Sequence, residues 1–474
     1  MIRWALTVMV LTAFGTPALA VARTCAPEAV ETQHSMRIAG KRIDYIACVG
    51  ALPVRVGTAQ AQIVYTAYVV PGRRNRPLSF VWNGGPGADS RTLQFHAIGP
   101  QIIRNGALAD NPDSPLAVSD LVFVDPVGTG FSRAATPKQA EAFYGTVADI
   151  EATAAFVRDF RMQYRRTTSP LNLVGESFGT WRASGVAEAL IDWNVAVDGV
   201  ALISGGIPLG EERNGEGRRA LSLVNRTATA FALGKLSPDL QRDQAATLVE
   251  AERWARTRYA RALANPAALD AGGRATIVAG LARYQGLDPA AIDARTLWVS
   301  PRDFRTKLLA AEGKTLGIFD MRQTSKADTA GEDAITIAYY RDRLRYTAGR
   351  YAGVEDPAED VGRNWRYDQS PGTKESLARA IAGEGPPSAS QPWIQRAMGK
   401  SRSLRIWVAT GLYDSLNSCA GNEATVAALP RDLSRRFTLQ CYAGGHMMYE
   451  DPRETGRFGK ELALSALWRI NFAR

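Results

Sequence analysis

Two hydrophobic periods alternate along this chain. From Met36 to Trp82 the period is two. In QIVYTAYVV, Ile63, Tyr65, Ala67 and Val69 share one face, PGRRNRP supplies a turn, and LSFVW resumes the strand pattern. LVFVD at 121–125 is a short continuous apolar run, as found in a strand buried on both faces. The period then lengthens: Ile150, Ala154, Val157 and Phe160 recur at helical spacing and predict a helix over 146–164. LNLVG, a helix from Phe178, and GVALISGG follow. Strands alternating with helices predict a parallel α/β sheet.

After Gly210 the texture changes. Residues 211–382 are rich in Ala, Arg and Leu in helical patterns, with hardly any strand-like runs. GEGPPSASQP at 383–392 reads as a loop; LRIWVATG and FTLQCYAGG restore buried strands, and FGKELALSALWRINF closes with an amphipathic helix. The simplest organisation is one α/β core, 21–210 and 383–474, interrupted by a helical insertion, 211–382. Such an insertion would roof the carboxyl edge of the strands, where ligands bind in open α/β sheets.

The first twenty residues differ from the rest. Arg3, an apolar run from Trp4 to Phe14 and Ala18-Leu19-Ala20 have the layout of a secretory signal peptide cut after Ala20, and the run is too short to span a bilayer. Export to the periplasm or the exterior is therefore expected. Four cysteines, Cys25, Cys48, Cys419 and Cys441, suit that route and favour two disulfides, with three pairings open. The charged share of 22% and hydrophobic share of 46% are those of a globular protein, and 474 residues suffice for one large core or two modest ones. A net charge of +10 comes from scattered Arg, without a nucleic-acid module, so no nucleic-acid partner is expected, nor stable membrane insertion.

Candidate chemistry centres on GESFG. Ser177 stands between Gly175 and Gly179 directly after an apolar run, the G-x-S-x-G arrangement in which a tight strand-to-helix turn projects a serine hydroxyl above a sheet. Such a serine needs a base, and the chain has only three histidines. His34 lies before the expected sheet and His96 follows a Gly-rich loop. His446, in YAGGHMMYED, alone comes after Ser177, as the chain order Ser, Asp or Glu, His requires. Asp414, three residues past Gly411, is the best-placed carboxylate to orient it. An oxyanion hole needs two backbone N–H groups. One is expected from Phe178, the residue after the nucleophile, and the other from Asn83-Gly84-Gly85-Pro86-Gly87. A phosphate-loop reading of that glycine run fails, since it lacks both a G-K-[ST] ending and G-x-G-x-x-G spacing.

NGGPG, DPVGTGFS, GESFG, the aspartate of TGLYDSLNSCAGNEA and the histidine of GGHMMYEDP stand in the order found in serine carboxypeptidases, and the chain resembles the bacterial branch of that family. The resemblance covers nearly the whole mature chain and is weakest over the helical insertion. It implies an α/β-hydrolase fold with a helical lid. Ser177 is the implied nucleophile, His446 the base, Asp414 its orienting partner, and Gly85 with Phe178 the oxyanion donors. It further implies that Asn83, the Gly84 backbone and Glu176 bind the terminal carboxylate of a peptide. Two departures stand out. Relatives carry a glutamate where FHAIGP has Ala97, which leaves His96 as a candidate extra donor. Ala88 replaces a common cysteine, so the family's disulfide pattern does not transfer.

The expected activity is hydrolysis of C-terminal residues from peptides with a free C-terminus, through an acyl-enzyme. No metal or organic cofactor is called for, as H-E-x-x-H and Cys/His clusters are missing from the sequence. The competing readings are an esterase or acyltransferase on the same fold, and a secreted binding protein that has lost catalysis.

Overall fold

A computed structural model describes residues 23–72, 75–210, 215–325, 331–382 and 385–465. The expected signal peptide and the last part of the closing helix lie outside the described residues.

The architecture is a ten-stranded mixed sheet with helices on its faces. Its strands in chain order are β1 (Val30–Ile38), β2 (Lys41–Val56), β3 (Ala59–Val69), β4 (Leu78–Trp82), β7 (Asp120–Val124), β8 (Arg133–Ala134), β9 (Leu171–Glu176), β10 (Gly199–Ile203), β11 (Arg405–Gly411) and β12 (Phe437–Tyr442). A separate hairpin is formed by β5 (Gln101–Arg104) and β6 (Ala107–Asp110). The spatial order is β1-β2-β3-β7-β4-β9-β10-β11-β12, with β8 beside β3. The pairings from β1 to β7 are antiparallel, and the six strands from β7 to β12 run parallel. The parallel part is the α/β sheet that the alternating strand and helix patterns predicted, and the whole is the α/β-hydrolase arrangement that the family resemblance implied.

The central strands β4, β7, β9 and β10 are buried throughout and mostly apolar because both faces are covered. Phe80, Leu173 and Leu202 point into one core cluster, while their neighbours Val81, Val174 and Ile203 point into a second on the opposite face. The helix Thr146–Gln163 seals the first cluster with Ile150, Ala154, Val157 and Phe160, the four positions that announced it. Each fully buried Val or Phe side chain contributes about 1.5–3 kcal/mol relative to exposure.

Between β10 and β11 the described residues form helices, among them Gly215–Ala232, Gln244–Trp254, Ala271–Gln285 and Glu332–Ala338, and no strand longer than an isolated bridge. Part of this segment has its own apolar cluster around Leu223, Tyr259, Leu281 and Phe304. Residues 385–392 have no regular structure, as the Pro- and Ser-rich text implied.

One boundary needs correction. His34 does not precede the sheet: it lies in β1, paired with Tyr45 of β2. The segment VETQHSMRI hides its strand character because it is an edge strand, partly exposed and polar along much of its length. Disulfides join Cys25 to Cys48 and Cys419 to Cys441, so of the three open pairings the nearest-neighbour one is adopted. Among the described residues no helix is long and apolar enough to cross a membrane.

At the amino end of the parallel strands Asp120 is fully buried. Its Oδ1 accepts from Arg76 Nε at 2.9 Å and from the Val70 amide at 3.0 Å, and its Oδ2 accepts from Arg166 Nη1 at 2.6 Å. One carboxylate thus ties the starts of β4, β7 and β9 together. Removing it takes this shared carboxylate away from two buried guanidinium groups. Asp120→Ala is expected to lower the unfolding free energy by about 3–5 kcal/mol, read as a lower denaturation midpoint in urea.

Candidate active site

The carboxyl ends of β4, β9, β11 and β12 deliver the predicted residues to one edge. Asn83 follows β4, Glu176 ends β9 with Ser177 next, Asp414 lies just past β11, and His446 lies just past β12. Ser177 adopts φ 56°, a left-handed conformation that a non-glycine residue takes only under strain. Its amide donates to the Ile203 carbonyl at 2.8 Å, and its own carbonyl accepts from the Thr180 amide at 3.0 Å as the helix Gly179–Asp192 begins. The sharp turn needs glycine at 175, because a methyl there would overlap the Gly179 carbonyl. Gly84 is packed as closely: a methyl on it would sit 2.5 Å from the Phe178 amide nitrogen and 2.6 Å from the Glu176 carbonyl oxygen. The loop after β4 therefore lies directly on the elbow.

Asp414 and His446 are both buried, with the imidazole Nδ1 2.9 Å from Asp414 Oδ2. The same oxygen accepts from Asn417 Nδ2 at 3.0 Å, and Oδ1 accepts from the Leu416 amide at 2.8 Å. The two loops touch along their backbones: Tyr413 N donates to the Gly444 carbonyl at 3.0 Å, and Cys419–Cys441 links the segments on either side. With Nδ1 donating to Asp414, Nε2 is the nitrogen left to accept a proton. Burial alone would lower the imidazole pKa. The charge and hydrogen bond of Asp414, helped by Glu176, outweigh it and hold His446 above its usual value. No hydrogen bond joins the Ser177 hydroxyl to His446 here, so of the two contacts expected between serine, histidine and aspartate only the histidine–aspartate one is made. Catalytic hydrogen bonds are often long without substrate and tighten when it binds.

Glu176 is buried beside the serine. Asn83 Nδ2 donates to its Oε1 at 2.8 Å, and the Tyr449 hydroxyl donates to its Oε2. Burial pushes its carboxyl above the usual range, against the opposing influence of His446, Tyr449 and Asn83. Asn83 is itself fixed, its Oδ1 accepting from the Leu93 amide at 3.0 Å and its carbonyl from Arg182 at 2.8 Å. Among the described residues the Gly85 and Phe178 amides donate to no protein acceptor, which leaves both available to a ligand oxygen at the amino end of a helix. His96 turns elsewhere: it faces Glu332 at 3.5 Å and Glu450 at 3.8 Å. Ala97 brings no carboxyl to Glu176; its carbonyl accepts from Asn111.

Three contributors escaped the sequence reading. Tyr449 holds Glu176, and its only signal was its place three residues after His446. Asn417 braces Asp414 from within the same short loop. Phe319, from the helical segment, accepts the His446 amide at 2.6 Å and lays its ring 5.2 Å from the imidazole. Its partner is over a hundred residues away in the chain, so no local pattern marks it.

Residues 57–205 match the family model for serine carboxypeptidases, a span that holds the 83–87 loop and the Ser177 elbow but neither Asp414 nor His446. Over that span the chain is similar to serine carboxypeptidases. The order and direction of its strands are those of the α/β-hydrolase fold. No curated protein sequence matches it. Among solved structures, a putative aryl esterase from Burkholderia cenocepacia is 14% identical with a TM-score of 0.39, the match covering 89% of this chain and 100% of that one. A carboxyl esterase from Bacillus coagulans is 12% identical, covering 88% and 97%, with a TM-score of 0.36. A homoserine O-acetyltransferase from Staphylococcus aureus is 10% identical, covering 94% and 96%, with a TM-score of 0.36.

Asp414→Asn keeps shape but loses the charge that fixes the imidazole tautomer. Turnover of an activated ester is expected to fall by about 10³–10⁴, while the melting temperature, read by circular dichroism, moves by only a few degrees.

Proposed function

We propose that the protein is an exported serine carboxypeptidase that removes C-terminal residues from peptides. The single observation that carries this reading is Glu176, a buried carboxyl beside Ser177, gripped by Asn83 and Tyr449 and pushed toward its protonated form. A protonated carboxyl in that place can donate to the terminal carboxylate of a substrate. An ionised one repels it.

In this reading Ser177 Oγ attacks the carbonyl carbon of the last peptide bond while His446 Nε2 takes the hydroxyl proton. Asp414 stabilises the resulting imidazolium. The oxyanion rests on the Gly85 and Phe178 N–H groups. His446 passes its proton to the leaving amine, the C–N bond breaks, and the C-terminal residue departs as a free amino acid. Water then attacks the acyl-enzyme, giving its proton to the same imidazole, and Ser177 is regenerated. Asn83, the Gly84 backbone and Glu176 hold the substrate carboxylate, and the helical segment, 211–382, serves as the lid. The signal-like start and two disulfides support export.

The deciding experiment pairs a blocked dipeptide bearing a free C-terminus with its C-terminal amide. The free acid is expected to be cleaved and the amide spared. Equal cleavage of both, or of simple esters alone, points to the esterase or acyltransferase reading instead.

The pH profile follows from the two shifts. His446, with its pKa raised, must lose its proton to act, so ester hydrolysis climbs as pH rises through a value above 6.5. Glu176, also raised, favours carboxylate binding below its folded pKa, and that advantage is lost as pH rises through it. The ratio of peptidase to esterase kcat/KM is therefore expected to fall with increasing pH. In Glu176→Gln, which keeps a donor and cannot ionise, KM for the free-acid peptide is expected to lose this pH dependence.

A further inference from the structure

Three large apolar side chains stand partly in water at the candidate site: Ile318, Phe319 and Leu416, which are 42%, 46% and 47% exposed. Phe319 lays its ring 5.2 Å from the His446 imidazole, and its carbonyl accepts the His446 amide at 2.6 Å. Ser415 Oγ donates to the Ile318 carbonyl at 2.6 Å, which sets Ile318 against the residue before Leu416. Leu416 gives its own amide to Asp414 Oδ1 at 2.8 Å. The apolar patch therefore adjoins both the base and the carboxylate that orients it.

Backbone bonds, rather than burial, hold the patch in place. Gly317 N donates to the Gln323 carbonyl at 2.7 Å and closes a turn that carries Ile318 and Phe319, while Met321 N donates to the Tyr413 carbonyl at 3.0 Å. A methyl on Gly445 would lie 2.6 Å from the Phe319 carbonyl oxygen, so the turn sits tightly on the His446 loop. A contiguous apolar surface left in water beside reactive groups marks a place where a ligand packs. Being pre-formed, it binds without the cost of ordering itself.

The patch lies away from the group that would hold the leaving residue. On that side Thr92, His96, Met447 and Glu450 border a cavity of about 440 Å³, Thr92 preceding the Leu93 amide that fixes Asn83 and Glu450 following Tyr449. Leu416 instead lines a cavity of about 790 Å³, along Trp181, Gly206 and Ile207, which has no lining residue in common with the first. A peptide whose leaving residue enters the first cavity runs its acyl portion past the patch.

We infer that Ile318, Phe319 and Leu416 form an apolar shelf that receives the side chain of the residue before the bond cleaved and selects large apolar side chains there. The inference rests on the carboxypeptidase reading for the direction in which the peptide lies. An apolar side chain covering the shelf removes apolar surface from water on both partners. A polar one of the same size gives up its hydrogen bonds to water without replacement.

The test compares blocked dipeptides that carry Leu or Asn, two side chains of similar shape, before a constant C-terminal residue. The methyl esters of the same blocked Leu and Asn are run beside them. The Leu substrate is expected to exceed the Asn substrate in kcat/KM by about tenfold. The ratio should fall toward one in Phe319→Ala, and by smaller steps in Leu416→Ala and Ile318→Ala, which trim exposed side chains and leave the backbone bonds in place. Ratios rather than absolute rates are read, so a displaced His446 in Phe319→Ala does not mimic the effect. A wild-type ratio at or below one overturns the shelf, as does a ratio that none of the three substitutions lowers. If the esters show the preference while no peptide is cleaved, the shelf stands and the carboxypeptidase reading falls. If peptides are cleaved without preference, the shelf falls and that reading stands.

Discussion

Close backbone contact at the carboxyl end of the parallel strands is the constraint on which the rest of this site depends. The loop after β4 lies against the turn after β9 with no room for a side chain between Gly84 and the Phe178 amide, or between Gly175 and Gly179. Beside that contact Ser177 holds its left-handed conformation, the Gly85 and Phe178 amides find no acceptor among the described residues, and Asn83 comes within hydrogen-bond distance of Glu176. A single methyl at either glycine would push apart groups whose usefulness depends on fractions of an ångström. The strain at Ser177 is held by the Ile203 carbonyl, the Thr180 amide and the apolar layers on both faces of the sheet.

The histidine side is built differently. There close backbone packing of Gly411 against the Gly444 and Gly445 carbonyls is joined by side-chain hydrogen bonds and a disulfide in fixing Asp414 and His446. Both oxygens of Asp414 are engaged, by Leu416, Asn417 and His446, which fixes the carboxylate against the imidazole. The helical segment adds Phe319 from above, so part of the structure furthest from any motif takes part in positioning the base. Burial raises the stakes throughout, because a buried carboxylate or imidazole without partners is expensive.

Sequence pattern revealed much of this and missed some of it for definite reasons. The central strands were legible because burial on both faces leaves unbroken apolar text, and the helix at 146–163 because a sheet covers one side of it. The elbow and the glycine loop were legible because close approach restricts residue choice to very few types. β1 was legible only from Met36 onward, since an edge strand is partly exposed and reads as polar along much of its length. Tyr449 and Asn417 were not, since a hydroxyl or amide in a loop has many ordinary uses. Their value here comes only from the carboxylates they reach in three dimensions. Residues 211–382 were legible as helical, but Phe319 reaches His446 only through packing.

The most direct measurement of the central claim is covalent. A fluorophosphonate reacts with a hydroxyl only where a base takes its proton and amides hold the oxyanion, so labelling followed by peptide mapping reports the whole assembly at once. The account predicts one phosphonyl group per chain, on the peptide containing Ser177, with labelling abolished in Ser177→Ala and strongly slowed in His446→Gln. Labelling on another residue, or labelling of folded Ser177→Ala at the wild-type rate, would contradict it.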